Sequence, residues 1–212
     1  MIDSRKNLKY YIECDLKSLG LYPLPLKRRI GAIISPESWK LQVILRKLEY
    51  WINCCCGNVI GKIIMMAKYK RFERYCQKMG CSLAANVFGP GLCLNHCNGV
   101  VINGQARIGS NVRINAGVNI GSFSRFDENF THGNAPIIDD NVYIGPGAKI
   151  FGKIEIGDNV AIGANAVVNK DIPSRSTAVG IPVRVLLDKG SYNMVKYGDT
   201  SVIPEEIGKE KL

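Results

Sequence analysis

Histidine is scarce in this chain: 212 residues include only two, His96 and His132. A zinc site built on three histidines with an open fourth position cannot be completed from two. The cluster Cys93-Leu94-Asn95-His96-Cys97 also matches no standard zinc spacing, so no metal is expected. Aromatic residues make up 8%, and no run of eighteen apolar residues occurs, so no membrane-crossing helix is expected. The opening Met1-Ile2-Asp3-Ser4-Arg5-Lys6 lacks the apolar stretch of a signal peptide, and the expected compartment is the cytoplasm. Without a Gly-x-Ser-x-Gly nucleophile elbow or a Walker A phosphate loop, hydrolase and nucleotide triphosphatase readings have no motif to rest on. Zinc-finger, helix-turn-helix and RNA-binding signatures are missing too, and no nucleic-acid partner is expected.

What is present suits one large domain, or a small domain with an appendage. Hydrophobic residues at 46% and charged residues at 22% are the composition of a folded protein. Eight cysteines would imply a disulfide framework only in a small secreted chain. Here Cys54, Cys55 and Cys56 are adjacent within an expected helix and point in different directions, so the thiols are expected to be reduced and packed. The net charge of +10 belongs to the first segment, because residues 1–80 carry 16 Lys+Arg against 6 Asp+Glu and the remainder balances. Lys27, Arg28 and Arg29, with Lys68, Lys70, Arg71, Arg74 and Lys78, would attract an anionic membrane surface or an anionic glycan. The alternative is a solvated helical face.

Residues 1–80 read as helical. Ser35-Pro36-Glu37 has the form of a helix start, with a capping hydroxyl, proline in the first turn and a carboxylate at the positive end of the dipole. Leu41, Ile44, Leu45, Leu48, Trp51 and Ile52 then form one stripe at helical spacing. Gly57-Asn58 interrupts it before a second helix from about Val59 to Met79, and a shorter helix is expected from Tyr10 to Leu19, closed by Gly20.

Past Gly80 the period becomes six. Ile102, Ile108, Ile114 and Ile120 are followed, after an interval of eighteen, by Ile138, Ile144, Ile150, Ile156, Ile162 and Val168. Small or β-branched residues recur four positions later, and glycines such as Gly109, Gly145 and Gly163 one position later. A hexapeptide repeat of this kind implies a solenoid with three flat sides of six residues, whose inward aliphatic side chains stack between coils. Ser110-Asn111, Asp140-Asn141, Asp158-Asn159 and Ala164-Asn165 fall at matching phases and suit corners, since Asn tolerates left-handed backbone. The phase slips by two near Val100–Ile102, and Ser122 to Ile137 reads as an excursion from the coil. The two histidines lie one at each irregularity. Thirty-six residues apart, they would share a face two coils apart under strict periodicity, about 10 Å along the axis.

Three segments together, Leu94-Asn95-His96-Cys97-Asn98-Gly99-Val100-Val101-Ile102, the hexapeptide array and Ala178-Val179-Gly180-Ile181-Pro182-Val183-Arg184, resemble the left-handed β-helix acyltransferases. Within them the chain is similar to the serine acetyltransferase-like branch, which includes acetyltransferases of capsule and exopolysaccharide synthesis. The likeness covers about residues 80–190. It implies a mainly β fold: an N-terminal α-helical region (1–80), a left-handed parallel β-helix (81–187) and a C-terminal tail (188–212). It also implies a homotrimer, alone or in pairs, with acetyl-CoA as co-substrate lying between neighbouring solenoids.

The resemblance makes His96 the general base and gives His132 a catalytic or acceptor-specific part. Gly147 and Ala164 would line the pantetheine arm, Lys170 and Arg184 would sit near the nucleotide phosphates, and Asn95 and Thr131 fall at acceptor-binding places. The departures are specific. Serine acetyltransferases carry acidic residues at places held here by Asn95 and Cys81, and an arginine where Thr131 precedes His132. With no carboxylate clamp in the pattern, the expected acceptor is a sugar or polysaccharide-precursor hydroxyl. L-Serine is the alternative, and a non-catalytic scaffold docking to a membrane the second alternative.

Overall fold

Ser4 starts the first helix of the computed structural model, which describes residues 1–21, 37–122, 134–187 and 190–202. The Ser4 hydroxyl accepts the Asn7 N–H at 3.1 Å, so α1 (Arg5–Ser18) begins five residues earlier than the apolar pattern indicated. Helix α2 spans Glu37–Cys54 and α3 spans Val59–Lys78, the latter capped by Asn58, whose side chain accepts the Gly61 N–H at 2.7 Å. The expected cap at Ser35-Pro36 lies outside the described residues.

Among the described residues, twelve short strands then wind the coil, and a thirteenth closes it. In chain order they are β1 (Cys93–Leu94), β2 (Val101–Ile102), β3 (Arg107–Ile108), β4 (Arg113–Ile114), β5 (Asn119–Gly121), β6 (Ile137–Ile138) and β7 (Tyr143–Ile144). There follow β8 (Lys149–Phe151), β9 (Glu155–Ile156), β10 (Ala161–Ile162), β11 (Val167–Val168), β12 (Thr177–Val179) and β13 (Arg184–Leu186). Successive strands fall on three sheets, a first face ordered β1-β4-β7-β10-β12-β13, a second ordered β2-β5-β8-β11 and a third ordered β3-β6-β9, all parallel except for β13, which runs antiparallel to β12. This is a left-handed β-helix with a helical N-terminal region. Every member of the six-residue series is buried; Ile114, Ile144, Ile150, Ile156, Ile162 and Val168 are 0% exposed. Leu41, Leu45, Leu48, Phe72 and Cys76 of α2 and α3 join the same core, so the helices plug the open end of the prism.

The regular turns take eighteen residues, as in Tyr143 to Ala161 and Lys149 to Val167, with twenty at the lower end from Cys93 to Arg113 and sixteen at the upper end from Ala161 to Thr177. One takes thirty. Ile120 pairs with Ile150, and Ile108 with Ile138, so the gap between Ile120 and Ile138 advances the chain by one side rather than by a whole coil. The twelve additional residues are two repeat lengths, which is why the phase survives. The expected stacking of His132 two coils from His96 is thereby corrected, because it counted those twelve residues as coil. His132 and Thr131 themselves lie outside the described residues.

Corner residues behave as the pattern indicated. Asn111, Asn141 and Asn159 have φ of +55°, +60° and +59° and stack on the edge between third and first faces. Each donates its N–H to the corner residue of the coil before: Asn111 to Pro90, Asn141 to Ser110, Asn159 to Asp140. Asn165 is also left-handed but sits on a different edge, so the shared phase marks corners in general and not one corner. Truncating Ile144 to Ala removes a fully buried rung and is expected to cost ~2–5 kcal/mol. Urea unfolding of Ile144→Ala against the unaltered chain measures it.

Candidate active site

The edge joining the first face to the second carries the most distinctive geometry. Three of its corners step from strand to strand in six residues: Arg113 to Asn119, Tyr143 to Lys149 and Ala161 to Val167. The lowest corner, from Cys93 to Val101, takes eight. Those two additional residues produce the phase slip, and His96 stands in the widened turn, exposed, between half-buried Asn95 and buried Cys97.

Above His96 the edge is paved with small residues. Gly99, Gly117 and Gly147 have φ of +71°, +71° and +75°, and Asn165 closes the column at +56°. Their N–H groups climb from coil to coil: Gly117 donates to Asn98 O at 2.9 Å, Gly147 to Ala116 O at 2.8 Å and Asn165 to Pro146 O at 2.9 Å. A side chain at Gly147 would run into the Asn165 amide oxygen, 2.1 Å from an added Cβ. His96, Gly147 and Ala164 therefore share one edge, with Ala164 exposed about three strand spacings, or ~14 Å, above the histidine turn. Arg184 opens β13 beside the top of the first face and is exposed. Lys170 is exposed on another edge, between the second and third faces, so the structure does not align all four sequence-derived positions. Asn95 is held by its neighbour: its amide oxygen accepts the Cys93 thiol at 3.5 Å.

The sequence reading missed Lys149, whose ammonium donates to Gly117 O at 2.7 Å on this edge. It sits on the outward side of a repeat, where composition gives no signal. The largest omission is the support beneath the histidine turn. Gln42 of α2, fully buried, donates from Nε2 to Leu92 O at 2.8 Å and accepts the Leu94 N–H at 3.0 Å, standing where β1 has no neighbouring strand. Arg46, one turn on, is 0% exposed. It binds both Asp15 oxygens at 2.8 and 3.2 Å, Glu49 at 3.0 Å, and the carbonyls of Phe88 and Gly89 at 2.9 and 2.6 Å. Asp15 also accepts the Leu92 N–H at 2.8 Å. Burial pushes the Asp15 and Glu49 carboxyls up, against the opposing pull of Arg46. Burial likewise opposes charge on Arg46, yet its two carboxylates outweigh that and hold the guanidinium above its usual range.

Comparison with known proteins places this architecture. Residues 135–170 match the model of the bacterial transferase hexapeptide (six repeats) family. A serine acetyltransferase of Synechococcus elongatus is 42% identical over 102 residues, covering 48% of this chain and 40% of its own length. A solved serine acetyltransferase in complex with cysteine aligns with 91% of this chain and 72% of its own, at TM-score 0.69 and 23% identity. Residues 135–170 are thus similar to that hexapeptide family, and about half of the chain is similar to serine acetyltransferases. Soybean serine acetyltransferase complexed with serine covers 85% of this chain and 70% of its own length, at TM-score 0.66 and 26% identity. The chain spans less than half the length of the Synechococcus relative it matches.

Among the described residues no group of three or more His, Cys, Asp or Glu is arranged to hold a metal ion. Replacing Arg46 with Leu leaves two buried carboxylates facing each other without a cation and is expected to destabilise the fold by ~3–5 kcal/mol. A thermal melt of Arg46→Leu reads the loss.

Proposed function

We propose that the chain is an acetyl-CoA-dependent O-acetyltransferase with His96 as general base. The observation that carries this is the two-residue widening that exposes His96 at the foot of an edge otherwise paved with glycine, Pro146 and Ala164. An extended pantetheine arm fits such an edge because its corner residues are small and Lys149 is folded back onto Gly117 O, and Arg184 offers a cation for the phosphates near its upper end. Neutral His96 accepts the proton of an acceptor hydroxyl as its oxygen attacks the thioester carbonyl. Backbone N–H groups of the widened turn stabilise the developing oxyanion, and the coenzyme A thiolate departs. Lys170, on its separate edge, would reach the nucleotide only if a neighbouring solenoid closes the groove, which is the arrangement of a homotrimer.

The relatives carry the name serine acetyltransferase, and this favours L-serine over the sugar hydroxyl expected from the sequence. The sugar reading keeps second place on the strength of Asn95, Cys81 and Thr131, none of which supplies the charge that a free amino acid would engage. Thiol release from acetyl-CoA, with L-serine and candidate sugars side by side, separates them. His96→Ala is expected to lose several orders of magnitude in turnover while retaining acetyl-CoA affinity by calorimetry. A near-unaltered rate would discard the mechanism, and no calorimetric binding of acetyl-CoA by the unaltered chain would favour the scaffold.

For the basic helices we infer contact with an anionic bilayer surface. Helix α3 leaves Val59, Ile60, Ile63 and Met66 between 57% and 72% exposed at one end. Lys40, Lys47, Lys68 and Arg71 converge on a groove of about 400 Å³ between α2 and α3. Apolar insertion beside clustered cations is the chemistry of peripheral membrane binding. Co-sedimentation with phosphatidylglycerol vesicles, and none with phosphatidylcholine alone, is expected. Pairing of trimers through the same face, without vesicle binding, would overturn the inference.

A further inference from the structure

Arg113 opens β4 on the first face, and the strand register sets it directly over Cys93 of β1, the two being α-carbon partners. Paired strands of this kind run about 4.8 Å apart. His96 follows Cys93 by three residues, which span no more than ~11 Å of chain, so Arg113 stands in the surroundings of the histidine turn. The Cys93 thiol donates to the Asn95 amide oxygen at 3.5 Å, which carries the contact to the residue beside His96. Burial raises that thiol to about 11, and the positive charge of Arg113 pulls against it.

Arg113 is weakly committed where it rests. Its Nη1 donates to Met194 O at 3.4 Å, a long bond, and its Nε is buried with no hydrogen-bond partner among the described residues. No ion pair among the described residues includes it. A guanidinium has five donors to satisfy, and a buried one left unpaired is costly. A second cation, Lys196, also acts on the Cys93 thiol, but its ammonium packs against Gly20 just past α1, where the helix C-terminus favours positive charge. Arg113 is therefore the cation beside the turn with donors left to give.

We propose that Arg113 is a specificity-determining residue that engages the carboxylate of an amino-acid acceptor. This inference rests on the proposed function and names what its site selects. When the acceptor binds, the side chain gives up the Met194 bond, swings over β1 toward the histidine turn and presents two N–H groups side by side to the two carboxylate oxygens. The acceptor hydroxyl is then directed to the His96 imidazole. The charge comes from the coil above the turn and replaces none of Asn95, Cys81 or Thr131, which is why motif positions alone do not show it. A neutral sugar would cover the guanidinium without pairing it, and a site built to bond a charged group penalises the analogue that lacks one.

The test follows thiol release from saturating acetyl-CoA with L-serine and with L-serinamide, in which a neutral amide replaces the carboxylate. The unaltered chain is expected to favour L-serine in kcat/KM by about tenfold or more, the scale of a hydrogen bond to a charged group. Arg113→Gln is expected to raise KM for L-serine by a similar factor and to erase that preference, with L-serinamide affected far less and KM for acetyl-CoA unchanged. Arg113→Lys, which keeps the charge, is expected to recover part of the preference. A preference that survives Arg113→Gln overturns the inference. So does an equal loss on both acceptors, which is the behaviour of a structural residue. Transfer to a sugar with L-serine refused also overturns it and leaves the acetyltransferase reading standing, whereas no thiol release with any acceptor counts against both.

Discussion

An aliphatic side chain at every sixth residue has only one satisfactory destination, the interior of a three-sided coil. Once Ile114, Ile144 and Ile162 stack there, paired by the first face, the positions between them are committed to flat sides and corners. The corners then become a regular surface feature, repeated at one strand spacing. Any departure from regularity is displayed against that background. Two additional residues on the lowest corner are enough to project His96, and no dedicated loop is required.

A coil must also end, and here side chains finish what backbone pairing cannot. At its lower limit β1 has no strand beyond it, and Gln42 offers one donor and one acceptor at the spacing of a missing neighbour. Arg46 does the same for the Phe88 and Gly89 carbonyls. Each of these groups would otherwise be a buried polar atom without a partner, a cost comparable to a lost hydrogen bond. Because that bonding ties α2 to residues two to four positions before His96, the helical region fixes the frame of the site.

The repeat was legible because it lives in a single periodic variable. The inward series, the left-handed corner asparagines and the phase slip at His96 all follow from counting by six. The number of coils between Ile120 and Ile138 was not legible, since a twelve-residue departure leaves the count unchanged. Gln42 and Arg46 were hidden for another reason. Apart from Glu49, three residues from Arg46, their partners lie 31 to 52 residues away along the chain and are mostly backbone atoms, which carry no sequence signature. Gln42 sits one residue from Leu41 of the apolar stripe, and only the position of β1 gives it meaning.

The first face, six strands tall, is blunted at both limits. Below, a side-chain amide occupies the outer edge of β1; above, β13 runs antiparallel to β12, with Thr177 opposite Leu186. A parallel stack left open at either end would template addition of another molecule, and repetition of that step would draw the protein into fibres. With Gln42 on one end and the other reversed in direction, neither limit of the first face presents a parallel strand edge in the register of the coil.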